Sequence, residues 1–189
     1  PRTVAFSANG SYLIGADSFP TKDRALLPHE NPSKVPPDQT AVATGSRRAA
    51  QTDAERYSAT FTFEGRATDI GIFTGVYEMR ETQRDGRALR TYFASDDTDL
   101  SEAYLDAAAG YIQEFETRVG PYPYTSFSIV SARIPVGLGF AGLTYVSQSI
   151  LAHPYMRGRS LAHEVLHSWW GNAVAVDYAT GNWAEGLTT

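Results

Sequence analysis

His163-Glu164-Val165-Leu166-His167-Ser168-Trp169-Trp170-Gly171-Asn172 is the stretch on which the reading of this sequence turns. Leu161, Val165, Leu166 and Trp169 recur at helical spacing, which predicts a helix from about Ser160 to about Gly171. On a helix, two histidines at i and i+4 lie about 5–6 Å apart on one face. Both imidazoles then reach one tetrahedral metal ion. Glu164 follows the first histidine and projects toward the place where water would sit, suited to taking a proton rather than to ligating. A third ligand has to come from elsewhere, and Glu185, eighteen positions after His167, is the candidate. A His₂Glu set leaves the fourth position open for water, as a catalytic zinc site requires.

This composition yields roughly 0.004 chance matches to His-Glu-x-x-His. Two histidines on the polar face of an ordinary helix would leave Glu164 and Glu185 unexplained. Asn182-Trp183-Ala184-Glu185 also fits the Asn-x-x-Glu pattern of a capping box, the structural alternative for Glu185. Asp177 is the other carboxylate after Glu164. It is expected as the alternative ligand, as a partner for a zinc-bound imidazole, or as a solvated loop residue. His153 and His29 have no partner at metal spacing and read as structural or exposed.

Working outward, Phe127-Ser128-Ile129-Val130 and Leu143-Thr144-Tyr145-Val146 read as strands around a glycine-rich run, Gly137-Leu138-Gly139-Phe140-Ala141-Gly142. Before them, Leu100, Tyr104, Ala108, Tyr111, Ile112, Phe115 and Val119 form one helical stripe. Asp99 and Glu102 have the spacing of a capping box at its start, and Gly120-Pro121 stops it. Upstream of residue 97 the period is two. Tyr57 to Phe63 alternates aromatic and small polar residues, as a half-buried strand does. Ile70 to Tyr77 and Leu89 to Phe93 are further strands, with Asp85-Gly86 offering a tight hairpin between them. Strands at 3–6 and 11–14 flank Asn9-Gly10. Residues 20–53, with five prolines, are expected to be a long irregular surface loop. The fold class is therefore α+β, with a β-rich portion at 1–97 and a second portion at 98–189.

The chain has 189 residues, 42% hydrophobic and 20% charged, an ordinary composition for a globular protein. It has no cysteine, which excludes disulfides and thiolate chemistry. The net charge of −5 argues against a nucleic-acid partner. No apolar stretch reaches the roughly 18 residues of a membrane span. The compartment is left open between cytoplasm, periplasm and secretion. Residues 98–189 carry only 4 basic and 8 acidic residues, so much of this portion is expected to pack against other polypeptide.

The run from His163 to Asn172, followed by Trp183-Ala184-Glu185-Gly186, resembles the M1 family of zinc metallopeptidases, gluzincins related to thermolysin in their metal site. Gly120-Pro121-Tyr122-Pro123-Tyr124 is similar to that family's Gly-x-Pro-Tyr segment. The resemblance covers about residues 100–189, and 1–97 looks more loosely like the end of the β-rich domain that precedes the catalytic domain. It implies a thermolysin-like catalytic domain with a small sheet, one Zn²⁺ ion held by His163, His167 and Glu185, Glu164 as general base, and a peptide substrate. It also implies that Gly137 to Gly142 bind an extended peptide through the backbone, where the family has Gly-x-Met-Glu-Asn.

Three departures from the pattern are visible. The interval from His167 to Glu185 is one residue shorter than in the best-known members, harmless if Glu185 still starts a helix facing His167. No carboxylate occurs between Glu116 and Glu164, so the glutamate that binds a free α-amino group in the aminopeptidases has no counterpart. The family's downstream tyrosine and helical domain would follow Thr189. The expectation is a piece of a larger enzyme, partnered by the missing C-terminal part of the same polypeptide, with a zinc site incomplete or empty. A non-catalytic interaction module with a vestigial site, and a zinc hydrolase acting on a non-peptide such as an epoxide, are the alternative readings.

Overall fold

The computed structural model describes residues 3–7, 10–14, 29–65, 69–133, 137–177, 179 and 181–189. The chain divides into two compact units, Pro1–Tyr77 and Glu78–Thr189. The change of periodicity at about residue 97 falls inside the second. The class is α+β.

The first unit is built from strands β1 (Thr3–Ser7), β2 (Gly10–Ile14), β3 (His29–Val35), β4 (Thr40–Ala43), β5 (Ser46–Thr52), β6 (Tyr57–Phe63) and β7 (Gly71–Gly75). They form an antiparallel sheet ordered β1-β2-β7-β4 and another ordered β3-β6-β5. In β6 the sequence alternation becomes strict alternation of buried and half-buried residues. Tyr57, Ala59 and Phe61 pack with Ala41 and Ala43.

The expected irregular loop at 20–53 is corrected here, since residues 29–52 contain β3, β4 and β5. All three are edge strands. An edge tolerates Pro32 inside β3, because one row of its N–H groups pairs with nothing. It also tolerates Arg47 and Arg48 in β5, whose side facing away from the ladder is wet. The part of that expectation at 20–28, and the turn residue Asn9, lie outside the described residues.

The second unit starts with a strand the sequence reading did not anticipate, β8 (Glu78–Arg84), paired to β9 (Arg87–Phe93). The Asp85-Gly86 hairpin joins these two. Both residues have positive φ, 49° and 76°, which the two-residue turn requires. Strands β10 (Ser126–Ala132), β11 (Leu138–Phe140) and β12 (Leu143–Ser147) complete a five-stranded sheet ordered β11-β12-β10-β9-β8. Within it β9, β10 and β12 run parallel, while β8 and β11 are antiparallel edges.

Helix α1 (Ser101–Arg118) connects β9 to β10. Its stripe is the expected one. Tyr104, Ala108 and Ile112 are buried, and Leu100, Tyr111, Phe115 and Val119 pack around the same core. The capping box is not formed. A 3₁₀ segment, Ser95–Leu100, feeds straight into α1, so Asp99 has helical rather than capping geometry and Leu100 stands at the N-cap with no side-chain hydrogen bond. Gly120 ends the helix region with φ of 131°.

Helix α2 (Leu161–Leu166) is shorter than expected and is entered through a π-turn at Met156–Ser160. Beyond Leu166 the chain continues in turns, although Trp170 still donates to the Leu166 carbonyl. The π-turn leaves carbonyl groups without the regular helical donor. The Tyr111 hydroxyl of α1 fills that role, lying 3.1 Å from the Arg157 oxygen and 2.9 Å from that of Gly158. Helix α3 (Trp183–Thr188) is one and a half turns long, too short to persist without packing. Among the described residues no helix is long and apolar enough to cross a membrane.

Tyr104 is fully buried and donates 2.8 Å to the Leu151 carbonyl, pinning α1 to the segment that leads into α2. Burial pushes its hydroxyl pKa up to about 12. Tyr104→Phe would leave that buried carbonyl unpaired, a loss of about 1–3 kcal/mol. The expected result is a lower urea midpoint with an unchanged slope, read by circular dichroism.

Candidate metal centre

Leu161 and Val165 are buried in the main core of the second unit. With that face of α2 committed to packing, His163, Glu164 and His167 are presented on the opposite side. The turn after α2 is locked by Trp169, whose indole N–H lies 3.1 Å from the carbonyl oxygens of both Gly120 and Pro121. Tyr122 stacks edge-on against Trp169 and lies 3.4 Å from the Ser168 hydroxyl. Arg87 and Glu116 hold Tyr122 in turn. The carboxylate pairs with the guanidinium and accepts the Tyr122 backbone N–H, while Arg87 sits 5.6 Å from the Tyr122 ring centre. The Gly120-to-Tyr124 segment is thus a buttress for the histidine-bearing turn.

The two imidazoles face each other with their Nε2 atoms 3.1 Å apart. Glu185, from α3, brings one carboxylate oxygen 3.5 Å from His163 Nε2 and the other 3.5 Å from His167 Nε2. The structure therefore brings together the three residues expected as ligands, and their donor atoms lie within 4.8 Å of one another. Asn182 makes no side-chain cap hydrogen bond at the start of α3, so the capping-box alternative for Glu185 is not realised.

The tautomers follow from the partners. His163 Nδ1 lies 3.0 Å from the Thr188 carbonyl oxygen, and His167 Nδ1 lies 3.0 Å from that of Trp170. A carbonyl can only accept, so each neutral ring carries its proton on Nδ1. Both Nε2 lone pairs then point at one place, beside a carboxylate. Atoms bound at about 2.0–2.1 Å to one tetrahedral ion stand about 3.3 Å apart. The observed separations bracket that value, so the donor set fits a divalent ion such as zinc.

Glu164 stands apart from this triangle. It is buried, and burial, with the negative Glu185 as a lesser cause, pushes its carboxyl pKa up to about 7. Burial holds the His167 pKa below the usual imidazole value, aided by His163 and opposed by the Trp170 carbonyl and Glu185.

Gly137 and the strand β11 lie against this carboxylate. A Cβ built on Gly139 would sit 3.0 Å from Glu164 Oε2, and one on Gly137 would sit 3.2 Å from Oε1. Leu138, between them, is exposed, Phe140 is buried, and Ala141 and Gly142 form the turn into β12. Asp177 is exposed and accepts the Ala179 backbone N–H. The imidazole-orienting task considered for it falls instead to the carbonyls of Trp170 and Thr188. Those two were missed because a backbone acceptor leaves no residue type to recognise. His153 is exposed, its Nδ1 3.3 Å from the Tyr155 N–H.

No protein-family model matches the sequence, and comparison with curated proteins finds no match. Among solved structures, the fold is similar to an M1 zinc metallopeptidase from Deinococcus radiodurans, with a TM-score of 0.73 and 22% identity. It is similar at the same TM-score and 20% identity to a two-domain M1 zinc metallopeptidase mutant bound to L-arginine. In both cases the match covers 93% of this chain and 43% of the other. The chain thus spans less than half the length of the structures it matches, and at this identity the likeness speaks for the fold.

Zinc at one hundred times its dissociation constant should stabilise the chain by about 2.7 kcal/mol, seen as a raised melting temperature that a chelator reverses. Glu185→Ala and His167→Ala should abolish most of that rise. Since neutral imidazoles are needed, zinc affinity should fall as the pH is lowered. Isothermal titration at a series of pH values checks the sign.

Proposed function

We propose that this chain carries the zinc-binding part of an M1-type metallopeptidase, with His163, His167 and Glu185 as ligands and Glu164 as general base. The observation that supports the reading most directly is the triangle of His163 Nε2, His167 Nε2 and the Glu185 carboxylate, with sides of 3.1, 3.5 and 3.5 Å. The likeness of the fold to M1 zinc metallopeptidases is an independent support.

When bound, a zinc ion in such a site lowers the pKa of water toward ~7 and polarises a substrate carbonyl. The chain's own residues do the rest. Glu164 takes the proton of the attacking water and returns it to the departing amine, which requires a carboxylate close to the ligands but outside the ligand set. The Thr188 and Trp170 carbonyls keep both imidazoles turned with Nε2 inward. Strand β11 is an edge of its sheet, and its free side suits the addition of an extended peptide as a further strand. Leu138 and Phe140, flanking Gly139, would line that path with Gly137, Ala141 and Gly142.

A buried ammonium without a negative partner is strongly disfavoured. The lack of any carboxylate between Glu116 and Glu164 therefore supports cleavage that does not depend on a free substrate N-terminus. The complete catalytic apparatus belongs to the whole natural polypeptide, in keeping with the 43% coverage of the similar structures.

The test is a panel of N-terminally blocked and unblocked peptides, with and without chelator, on the polypeptide at its full natural length. Hydrolysis should require the metal and should not favour unblocked peptides. Glu164→Gln should keep zinc and lose turnover by about 10²- to 10⁴-fold. Turnover at the parent rate would remove Glu164 from the mechanism, and a strict need for a free N-terminus would return the enzyme to the aminopeptidases.

A further inference from the structure

We propose that Gly137 and Gly139 are positioning residues for Glu164. Two missing Cβ atoms on one face of β11 and its approach form the seat that holds this carboxylate beside the metal ligands. The functional consequence rests on the reading of Glu164 as the base, while the packing itself does not.

Glycine in a strand weakens it, and a strand keeps one where something approaches the backbone closely. Here the approaching group is identifiable. A Cβ on Gly137 would meet Glu164 Oε1 at 3.2 Å, the Tyr145 carbonyl oxygen at 3.5 Å and Glu164 Cδ at 3.8 Å. A Cβ on Gly139 would meet Glu164 Oε2 at 3.0 Å, His167 Cβ at 3.1 Å and the Glu164 carbonyl oxygen at 3.3 Å. Each glycine thus faces one oxygen of the same carboxylate. Positions two apart in a strand share a face, and Leu138 between them is 44% exposed.

Neither glycine has the left-handed backbone that would by itself demand glycine. Gly142 differs. Its φ is 67°, and a Cβ there would lie 2.9 Å from the Ser126 carbonyl oxygen, so it serves the turn. The run therefore divides into two jobs, room at 137 and 139 and a bend at 142. The room is perpendicular to the sheet and faces α2, whereas a peptide added to the sheet edge would lie in its plane. Among the described residues no hydrogen bond reaches the Glu164 carboxylate, which leaves the walls around it to set its place.

A double-mutant cycle on stability tests this in the metal-free chain. Gly137→Ala should lower the urea midpoint in the parent background and lose that penalty when combined with Glu164→Ala, because its only contact under 3.4 Å is then gone. Gly139→Ala should keep much of its penalty in the Glu164→Ala background, since His167 Cβ and a backbone oxygen remain. Zinc titration adds a second readout. Gly139→Ala, which presses on His167, should weaken zinc binding by about tenfold or more, while Gly137→Ala should leave it within about twofold. In the full-length enzyme Gly137→Ala should lower kcat by a larger factor than it alters KM.

An equal Gly137→Ala penalty in both backgrounds would overturn the proposal, as would a Gly137→Ala chain with parent stability. Should Gly139→Ala fail to fold, the Gly137→Ala cycle still decides. The cycle reads stability, so it stands or falls independently of whether Glu164→Gln abolishes turnover.

Discussion

Two unprotonated imidazole nitrogens held 3.1 Å apart beside a carboxylate are the constraint on which the second unit depends. Left to themselves, two neutral rings would relieve this contact by moving a ring proton to one Nε2 or by turning away. The Thr188 and Trp170 carbonyls block both routes, because each requires the proton on Nδ1. Lone pairs aimed at one point favour a cation there, and the carboxylate adds the charge to hold it. The surrounding structure keeps the arrangement from relaxing. Trp169 is tied to the Gly120 and Pro121 carbonyls, and Asn172 donates 2.9 Å to the His167 carbonyl. The Thr188 acceptor and the Glu185 carboxylate share α3, so one short helix fixes both the carboxylate and the orientation of the His163 ring beside it.

Strands with two neighbours were the more legible ones, although β1, an edge, was also read from its sequence. Tyr57 to Phe63, Ile70 to Tyr77, Phe127 to Val130 and Leu143 to Val146 all announced themselves, and the strands they became, β6, β7, β10 and β12, are interior members of their sheets. The strands that stayed hidden, β3, β4, β5, β8 and β11, are edges. An edge strand often carries proline or charge as protection against further pairing, and in β3, β5 and β8 these are the features that read as loop, whereas β4, Thr40–Ala43, has neither and is only four residues long. Glu78 to Arg84 holds two glutamates and two arginines and is almost wholly exposed. The Asp85-Gly86 turn was recognisable, but its upstream arm was not.

The site divides along a similar line. Side-chain chemistry was legible: His163, Glu164, His167 and Glu185 were named from residue types and spacing, and the fold gathers them. Backbone chemistry was not. Two carbonyls orient the imidazoles, and a carbonyl is present at every residue. The glycine run was visible as composition, yet composition could not separate Gly137 and Gly139, which leave room, from Gly142, which turns the chain. The π-turn at Met156–Ser160 was equally silent, and α2, which starts where expected, falls short at its other end, where the chain passes into turns after Leu166 with the histidine spacing intact.

The parallel register of β9, β10 and β12 bears on how the molecule comes to be assembled. Parallel neighbours cannot be joined by a tight hairpin; here α1 lies in the first connection and β11 in the second. Pairings between segments so distant along the chain form slowly. The residues that would grip the ion lie on α2 and α3, which follow every strand in chain order, and α2 finds its place only by burying Leu161 and Val165 against α1 and the sheet. An ion that needs donors from both α2 and α3 would bind the folded chain in preference to the unfolded one. Such an ion would act as a latch on the finished molecule, lengthening the lifetime of the native state.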